Sequence, residues 1–297
     1  MAQVSAAPTV EAGNRGALRG FFRELTRSKT GFAGFIIVTL IVGMSALAPI
    51  FIDSKMPTDL DAIWGPPRAG HWLGTDMAGK DTLKQIVLGG QTVVFVGFLA
   101  AAITTVIAVV VGSLAAYIRG RFDSFMLQLT DIVMTVPQIV LLAVLGAFFS
   151  LDSPIYLALI IGCLTWPVLM RSIRAQALSL KEREFVEAAK LLDLGTTRVV
   201  FGEIVPNMAS YILINFIIAV TNAIYALVGL YVLGLAPLAG ANWGIMINNA
   251  WIGGAMFLPA AMPYILAPIA MIALLQLGLI MLTRSLEEIL NPRLRDK

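Results

Sequence analysis

Six long apolar runs, at about 31–52, 90–118, 124–150, 154–173, 208–235 and 259–283, dictate what this chain can fold into. Each is near the ~20 residues with which an α-helix crosses the hydrocarbon core of a bilayer, where every backbone N–H and C=O has to be satisfied within the segment. The chain is 58% hydrophobic and only 13% charged, with a mean hydropathy of +0.85, outside the range of soluble domains. The expected fold is an all-α integral membrane protein with six transmembrane helices.

Charge sets the expected orientation. Only Lys55, Arg68, Lys80 and Lys84 fall on one side of the six-span pattern; the other seventeen of the 21 Lys and Arg residues fall on the opposite side. Because Lys and Arg accumulate on the cytoplasmic side, both termini are expected in the cytoplasm. The pI of about 9.1 then reflects orientation and not nucleic-acid binding. A secretory signal is the competing reading of the N-terminus, since "SALAP" puts Ala46 and Ala48 at cleavage spacing. Pro49 would follow that cut, and removing the first run would invert the charge pattern, so the first span is expected to stay.

This gives an organisation along the chain: a cytoplasmic tail and interfacial helix (1–30), the first transmembrane helix (31–52), an external loop (53–89), a five-helix core (90–283) and a cytoplasmic tail (284–297). The core contains a cytoplasmic loop at 174–206 and an external segment at 236–258. In the N-terminal tail, "RGALRGFFRELTRSK" is either an interfacial helix, with Phe21, Phe22 and Leu25 toward lipid, or a simple topology anchor.

The chain has little raw material for catalysis. With His71 the one histidine and Cys163 the one cysteine, metal clusters and Cys/His nucleophiles are not expected. Cys163, inside the fourth span, reads as a buried packing residue. Gly74 to Lys80 spells G-x-x-x-x-G-K, the start of a phosphate-binding loop, but Asp81 stands where Ser or Thr is required and no strand precedes it. His71 with Asp76 and Asp81 reads as a polar loop cap. The expectation is a non-enzyme with no catalytic or metal site and no cofactor bound directly.

"EREFVEAAKLLDLGTTRVVFGEIVPN", residues 182–207, is polar and helix-forming between two apolar runs. Phe185, Ala188, Ala189 and Leu192 form an i, i+3, i+4, i+7 stripe expected to pack onto the spans. The far face has Glu187, Leu191 and Leu194, mixing a carboxylate with leucines where water alone would favour polar residues. That suggests docking of a partner protein. Gly195 is expected to end the helix, with Pro206 near the start of the next span. Within the fifth span Tyr211, Asn215 and Asn222, continued by Gly229, share one face. They line a substrate route or act as interhelical glue, the length of the stripe favouring the route. Asp131 in the third span is expected to face protein or water, in a structural pair with Arg171 or Arg174. The segment 236–258, with Asn242, Trp243, Asn248, Asn249 and Trp251, is expected to form a short external or re-entrant helix. Its tryptophans would lie at the membrane interface.

Glu187-Ala188-Ala189, followed by an apolar-basic run and Ile204-Val205-Pro206-Asn207, resembles the EAA loop of permease subunits in binding-protein-dependent ABC importers. "KTGFAGFIIVTLIVGMSALAPI", "HWLGTDMAGKD", Asp131 with Pro137 and "VLGLAPLAGANWGIMINNA" are similar to the second (C-type) permease of the dipeptide, oligopeptide and nickel group, over about residues 25–292. The resemblance implies the type I ABC importer permease fold in the inner membrane of a prokaryote. It also implies an extracytoplasmic substrate-binding protein, a homologous second permease in a heterodimer, and two cytoplasmic ATP-binding subunits that use ATP and magnesium. Residues 187–189, 191, 194, 195 and 206 would then couple to the ATPases. His71, Gly74, Thr75 and Asp76, with Asn242 and Trp243, would form the external gate or the landing surface for the binding protein. Two departures stand out: Asp193 replaces the Gly usual six positions after the Glu, and "LAGANWG" falls in a loop that is Pro-rich in peptide permeases. The cargo implied is di- or oligopeptides, with oligosaccharides or nickel complexes as alternatives and an ion-coupled secondary transporter as the rival mechanism.

Overall fold

The computed structural model describes residues 26, 28–53, 55–148, 153–237 and 240–290, and among these every extended element is helical. The interfacial helix expected over 15–29 falls almost wholly outside the described residues, as does most of the C-terminal tail. Helix α1 spans Lys29–Phe51, with Ser28 accepting from the Gly31 N–H at its start. Helix α2 runs Thr82–Ile118. Helices α3, Gly120–Thr135, and α4, Gln138–Phe148, follow, and α5 covers Pro154–Lys181. Between α5 and the next span lie α6, Glu184–Leu191, and α7, Thr196–Val199, then a π-helical turn at Val200–Ile204 and α8, Val205–Asn207. Helix α9 is Ala209–Val232, α10 Trp243–Ile252 and α11 Met262–Leu290. Among the described residues, five helices are long and apolar enough to cross a membrane, or six when α3 and α4 are taken as one broken span.

That break corrects the expectation of a continuous third span at 124–150. The α3 and α4 axes differ by 80°. Pro137 has no N–H to donate and disfavours helical backbone in the residue before it; Val136 accordingly sits at φ −87°, ψ 127°. Helix α2 also starts earlier than the apolar run at 90 suggested, because the Asp81 carboxylate caps it by accepting from the Lys84 N–H at 2.8 Å. At ~1.5 Å per residue its 37 residues reach about 55 Å, well beyond the hydrocarbon core.

Helix α2 is the spine, packing along α5 and α9, while α1 lies against α11. In lipid, helices gain little from apolar burial and pack instead through small residues that let backbones approach. Gly162 shows why: a Cβ there would lie 2.7 Å from Cβ of Ile103 and 2.9 Å from the Ala100 carbonyl, so α5 could not sit this close to α2. Ala100, Ala101, Ala108 and Ala115 line the same seam and are fully buried. Cys163, expected to be buried here, is exposed on the other face of α5.

Most of the buried residues form one cluster through α2, α5, α9, α10 and α11. A second cluster joins the ends of α2 and α5 to Val186, Ala189, Val199, Ile204 and Met208, at the end of the bundle where the basic residues gather. The opposite end holds the loop of residues 55–81 and helix α10.

Candidate functional site

At the basic end, α6 is a helix with two different faces. Val186 and Ala189 are buried against the second cluster, and Phe185 packs beside them. On the outer face Glu187 and Ala188 are exposed, Leu191 is 88% exposed and Leu192 73%. The spacing-based assignment is thus corrected at four positions. Val186, not the expected Ala188 and Leu192, completes the packed face, while Leu194 turns inward.

For Leu194 the cause is the way α6 ends. The Leu194 N–H donates to the Ala189 carbonyl at 3.2 Å and the Asp193 N–H to the Lys190 carbonyl at 3.0 Å, with Asp193 left-handed at φ 51°. This is a Schellman turn, in which the residue after the left-handed one folds back onto the helix. Leu194 therefore packs on the cluster that contains Ala189. Asp193 occupies the position where the family resemblance implies Gly and keeps the left-handed conformation, which Asp tolerates better than most residues. The terminator is Asp193; Gly195, with φ −57°, is in an ordinary region and precedes α7.

Two connections carry this segment back to the bundle, and they differ. On the α5 side, charged side chains fasten the last turns to α2 and α3. Arg174 forks onto Asp123 with contacts of 2.5 and 2.6 Å, and Arg171 donates to Asp131 and to the Thr130 hydroxyl. Lys181 donates to the Tyr117 carbonyl at 2.6 Å, satisfying a free carbonyl at the α2 C-terminus, and Arg119 pairs with Glu182 at 3.0 Å. Asp131 thus has the expected partner, Arg171. The Asp123–Arg174 fork went unread because nothing in the sequence distinguishes Asp123 from a surface acid. On the α9 side the link is the π-helical turn, in which the Val205 N–H reaches back five residues to the Val200 carbonyl. Pro206, next in line, has no N–H to offer a regular helical turn.

Of the polar stripe on α9, Asn215 and Asn222 line a small cleft against α5 with Thr104, Thr165 and Ser172. Tyr211 packs instead into the basic-end cluster, and its carbonyl accepts from the Asn215 side chain at 2.9 Å. Asp131 stays outside that cleft, 67% exposed beside Arg171.

At the opposite end, the "HWLGTDMAGKD" loop folds around its own polar groups. Asp76 accepts from the Ala78 and Lys80 N–H groups and from the Gln85 amide, each at 2.8 Å. His71 contacts the Asp81 carboxylate at 2.8 Å, the loop cap expected of it. Thr75 donates to the Ala62 carbonyl and accepts from the Gly65 N–H. Gly79 is irreplaceable here: at φ 72°, an added Cβ would stand 1.7 Å from the Asp59 carbonyl oxygen. Gly74, Thr75 and Asp76 consequently build the loop, and Trp72 and Met77 are what it shows outward. Helix α10 differs from expectation in a similar way. Asn242 caps it, accepting from the Gly244 N–H, and Trp243 is wholly buried with its indole N–H on the Ile86 carbonyl at 2.8 Å. Only Trp251 is exposed as an interfacial tryptophan should be.

Residues 108–296 match the family described as the binding-protein-dependent transport system inner membrane component, which is more than half of the chain. The chain belongs to this family. The binding-protein-dependent permease matches the oligopeptide transport system permease protein OppC of Bacillus subtilis at 32% identity over 274 residues, 90% of this chain and 87% of the relative. OppC of Mycobacterium tuberculosis is 33% identical over 214 residues, 71% and 74% of the two chains. A putative peptide permease protein of Brucella suis is 32% identical over 229 residues, 75% and 74% of the two. The permease is therefore a multi-pass inner-membrane protein of a multi-subunit import system.

Proposed function

We propose that the chain is the transmembrane permease subunit of an ATP-driven importer of di- or oligopeptides, and that α6 is where the ATP-binding subunits dock. The observation that carries this reading is the exposed pair Leu191 and Leu192 beside Glu187, on a helix whose opposite face is buried at the basic end. Two adjacent leucines held in water by a capped, packed helix make sense as one half of an apolar contact. The names of the relatives favour peptides over the oligosaccharides or nickel complexes that the motifs alone leave open.

In this reading the basic end is cytoplasmic and both termini lie there. A homologous permease completes the pathway, and an extracytoplasmic binding protein delivers cargo to the end that carries Trp72 and α10. ATP and magnesium are used by the docked subunits. Their closure displaces α6, and α5, pinned to α3 by Arg171 and Arg174, carries that motion to the broken span.

The test is co-purification. Glu187→Lys and Leu191→Asp should each abolish peptide uptake and release the ATP-binding subunits while the two permeases still assemble. Wild-type retention of those subunits in both variants would refute docking at α6. Orientation is tested separately: a reporter active only outside the cytoplasm should be silent within 182–199 and active within 55–80.

A further inference from the structure

A cleft of about 580 Å³ opens between the broken span and helices α5 and α9, and it merges with the small cleft beside Asn215 through Thr165, Val168 and Asn222. Two helix interruptions face it. Pro137 separates α3 from α4, and Pro167 sits inside α5, where it leaves the Cys163 carbonyl without its helical donor. Interrupted backbone halfway along membrane helices is tolerated where it is covered by protein or lines a polar passage. The side chains fit a passage: Gln138 and Asn222 have amides with no hydrogen bond to the rest of the described chain, and Tyr225 shares the lining with them. Free amides facing lipid would be strongly disfavoured.

No ionised side chain lines either cleft among the described residues. The nearby Arg171 and Asp131 neutralise each other outside the lining. An amide side chain offers a donor and an acceptor together, the complement of a peptide unit whatever side chain that unit bears. A lone charge in the same place would instead sort cargo by sign.

On the reading that the cargo is a peptide, we propose that this cleft holds it in transit by its backbone amides, with Gln138 and Asn222 as the contacting residues. Passage is consequently indifferent to side-chain charge. The opposing occupant, a helix of the second permease packed permanently into the cleft, predicts something else: there a charge would harm assembly and affect every peptide alike.

The experiment uses the whole complex, this chain with its partner permease, ATP-binding subunits and binding protein, in proteoliposomes. Uptake of three tripeptides, one with lysine side chains, one with glutamate and one with alanine, is measured as the ratio of variant to wild type, so that any preference of the binding protein cancels. Asn222→Asp should lower glutamate-peptide uptake ~tenfold relative to lysine-peptide uptake, and Asn222→Lys should do the reverse, with the alanine peptide changed less than ~twofold. Gln138→Glu and Gln138→Lys repeat the test from α4 should the α9 variants assemble poorly. Sign-dependent ratios at either position support the inference. Equal loss for all three peptides, with reduced recovery of the partner permease, or no change for any, overturns it. Wild-type uptake checks the peptide reading on its own: its absence refutes both, whereas charge-independent variants in a working importer refute only this inference.

Discussion

The loop of residues 55–81 buries Asp76 and Asp81, while the segment of residues 182–199 turns two leucines outward. In the first, Asp76 is 5% exposed and accepts from two N–H groups of the loop and from Gln85 of α2, which ties the loop to the bundle. In the second, ion pairs hold the neighbouring helix ends in place, and α6 is left with two leucines exposed among charged residues. Both are polar in composition, so composition does not separate a self-contained cap from a contact surface. What separates them is where the hydrogen-bonding capacity is used up. The loop spends its buried carboxylates on N–H donors, whereas Leu191 and Leu192 stand exposed on α6 with no cover from the rest of the described chain.

The comparison can be broken by substitution, and the largest effect is expected in the loop. Gly79→Ala puts a methyl group on top of the Asp59 carbonyl at a left-handed position, and should cost about 3 kcal/mol or more, read as lost permease in membranes. Stable, abundant Gly79→Ala protein would show that the loop is not the rigid cap described. Next, Val186→Asp buries a carboxylate on the packed face of α6 and should cost about 3 kcal/mol, lowering the thermal unfolding temperature of the detergent-solubilised permease. Leu191→Asp, five residues on, should leave that temperature within about 1 °C, because the side chain is already in water. It should weaken capture of the ATP-binding subunits by ~2 kcal/mol, roughly 30-fold. If Val186→Asp and Leu191→Asp behaved alike, the two-faced description of α6 would fail. The smallest effect is expected for Asp193→Gly, which relieves a left-handed aspartate and should stabilise the permease by no more than about 1 kcal/mol, with coupling intact.

Much of this was legible in the sequence, for reasons that also explain the rest. The apolar runs gave the spans because bilayer thickness fixes helix length. His71 as a loop cap, Asp131 paired with Arg171, and exposed Glu187 and Leu191 came from residue type and spacing. The third span failed because an apolar average over 124–150 is blind to the single missing N–H of Pro137. Leu194 was misplaced because helical spacing was carried past a turn that reverses the chain. Asp193 is a poor signal for such a turn, and Gly195 a misleading one. Trp243 was placed at the interface by residue preference, whereas its side chain fills the seam between α10 and α2, a contact between residues distant in sequence. Gln138 and Thr165 gave no sign at all, since each is an isolated polar residue until the fold sets it opposite Asn222.

The π-helical turn at Val200–Ile204 also sets a phase. A turn closed over five residues holds one residue more than a regular helical turn, and each residue added or removed rotates the next helix by about 100°. The rotation of α9 relative to α7 therefore depends on this turn. Deleting one residue there would leave both helices intact yet swing Asn215 and Asn222 away from α5. Insertions and deletions that other loops absorb would, at this point, turn the asparagine face of α9 out of register with its neighbours.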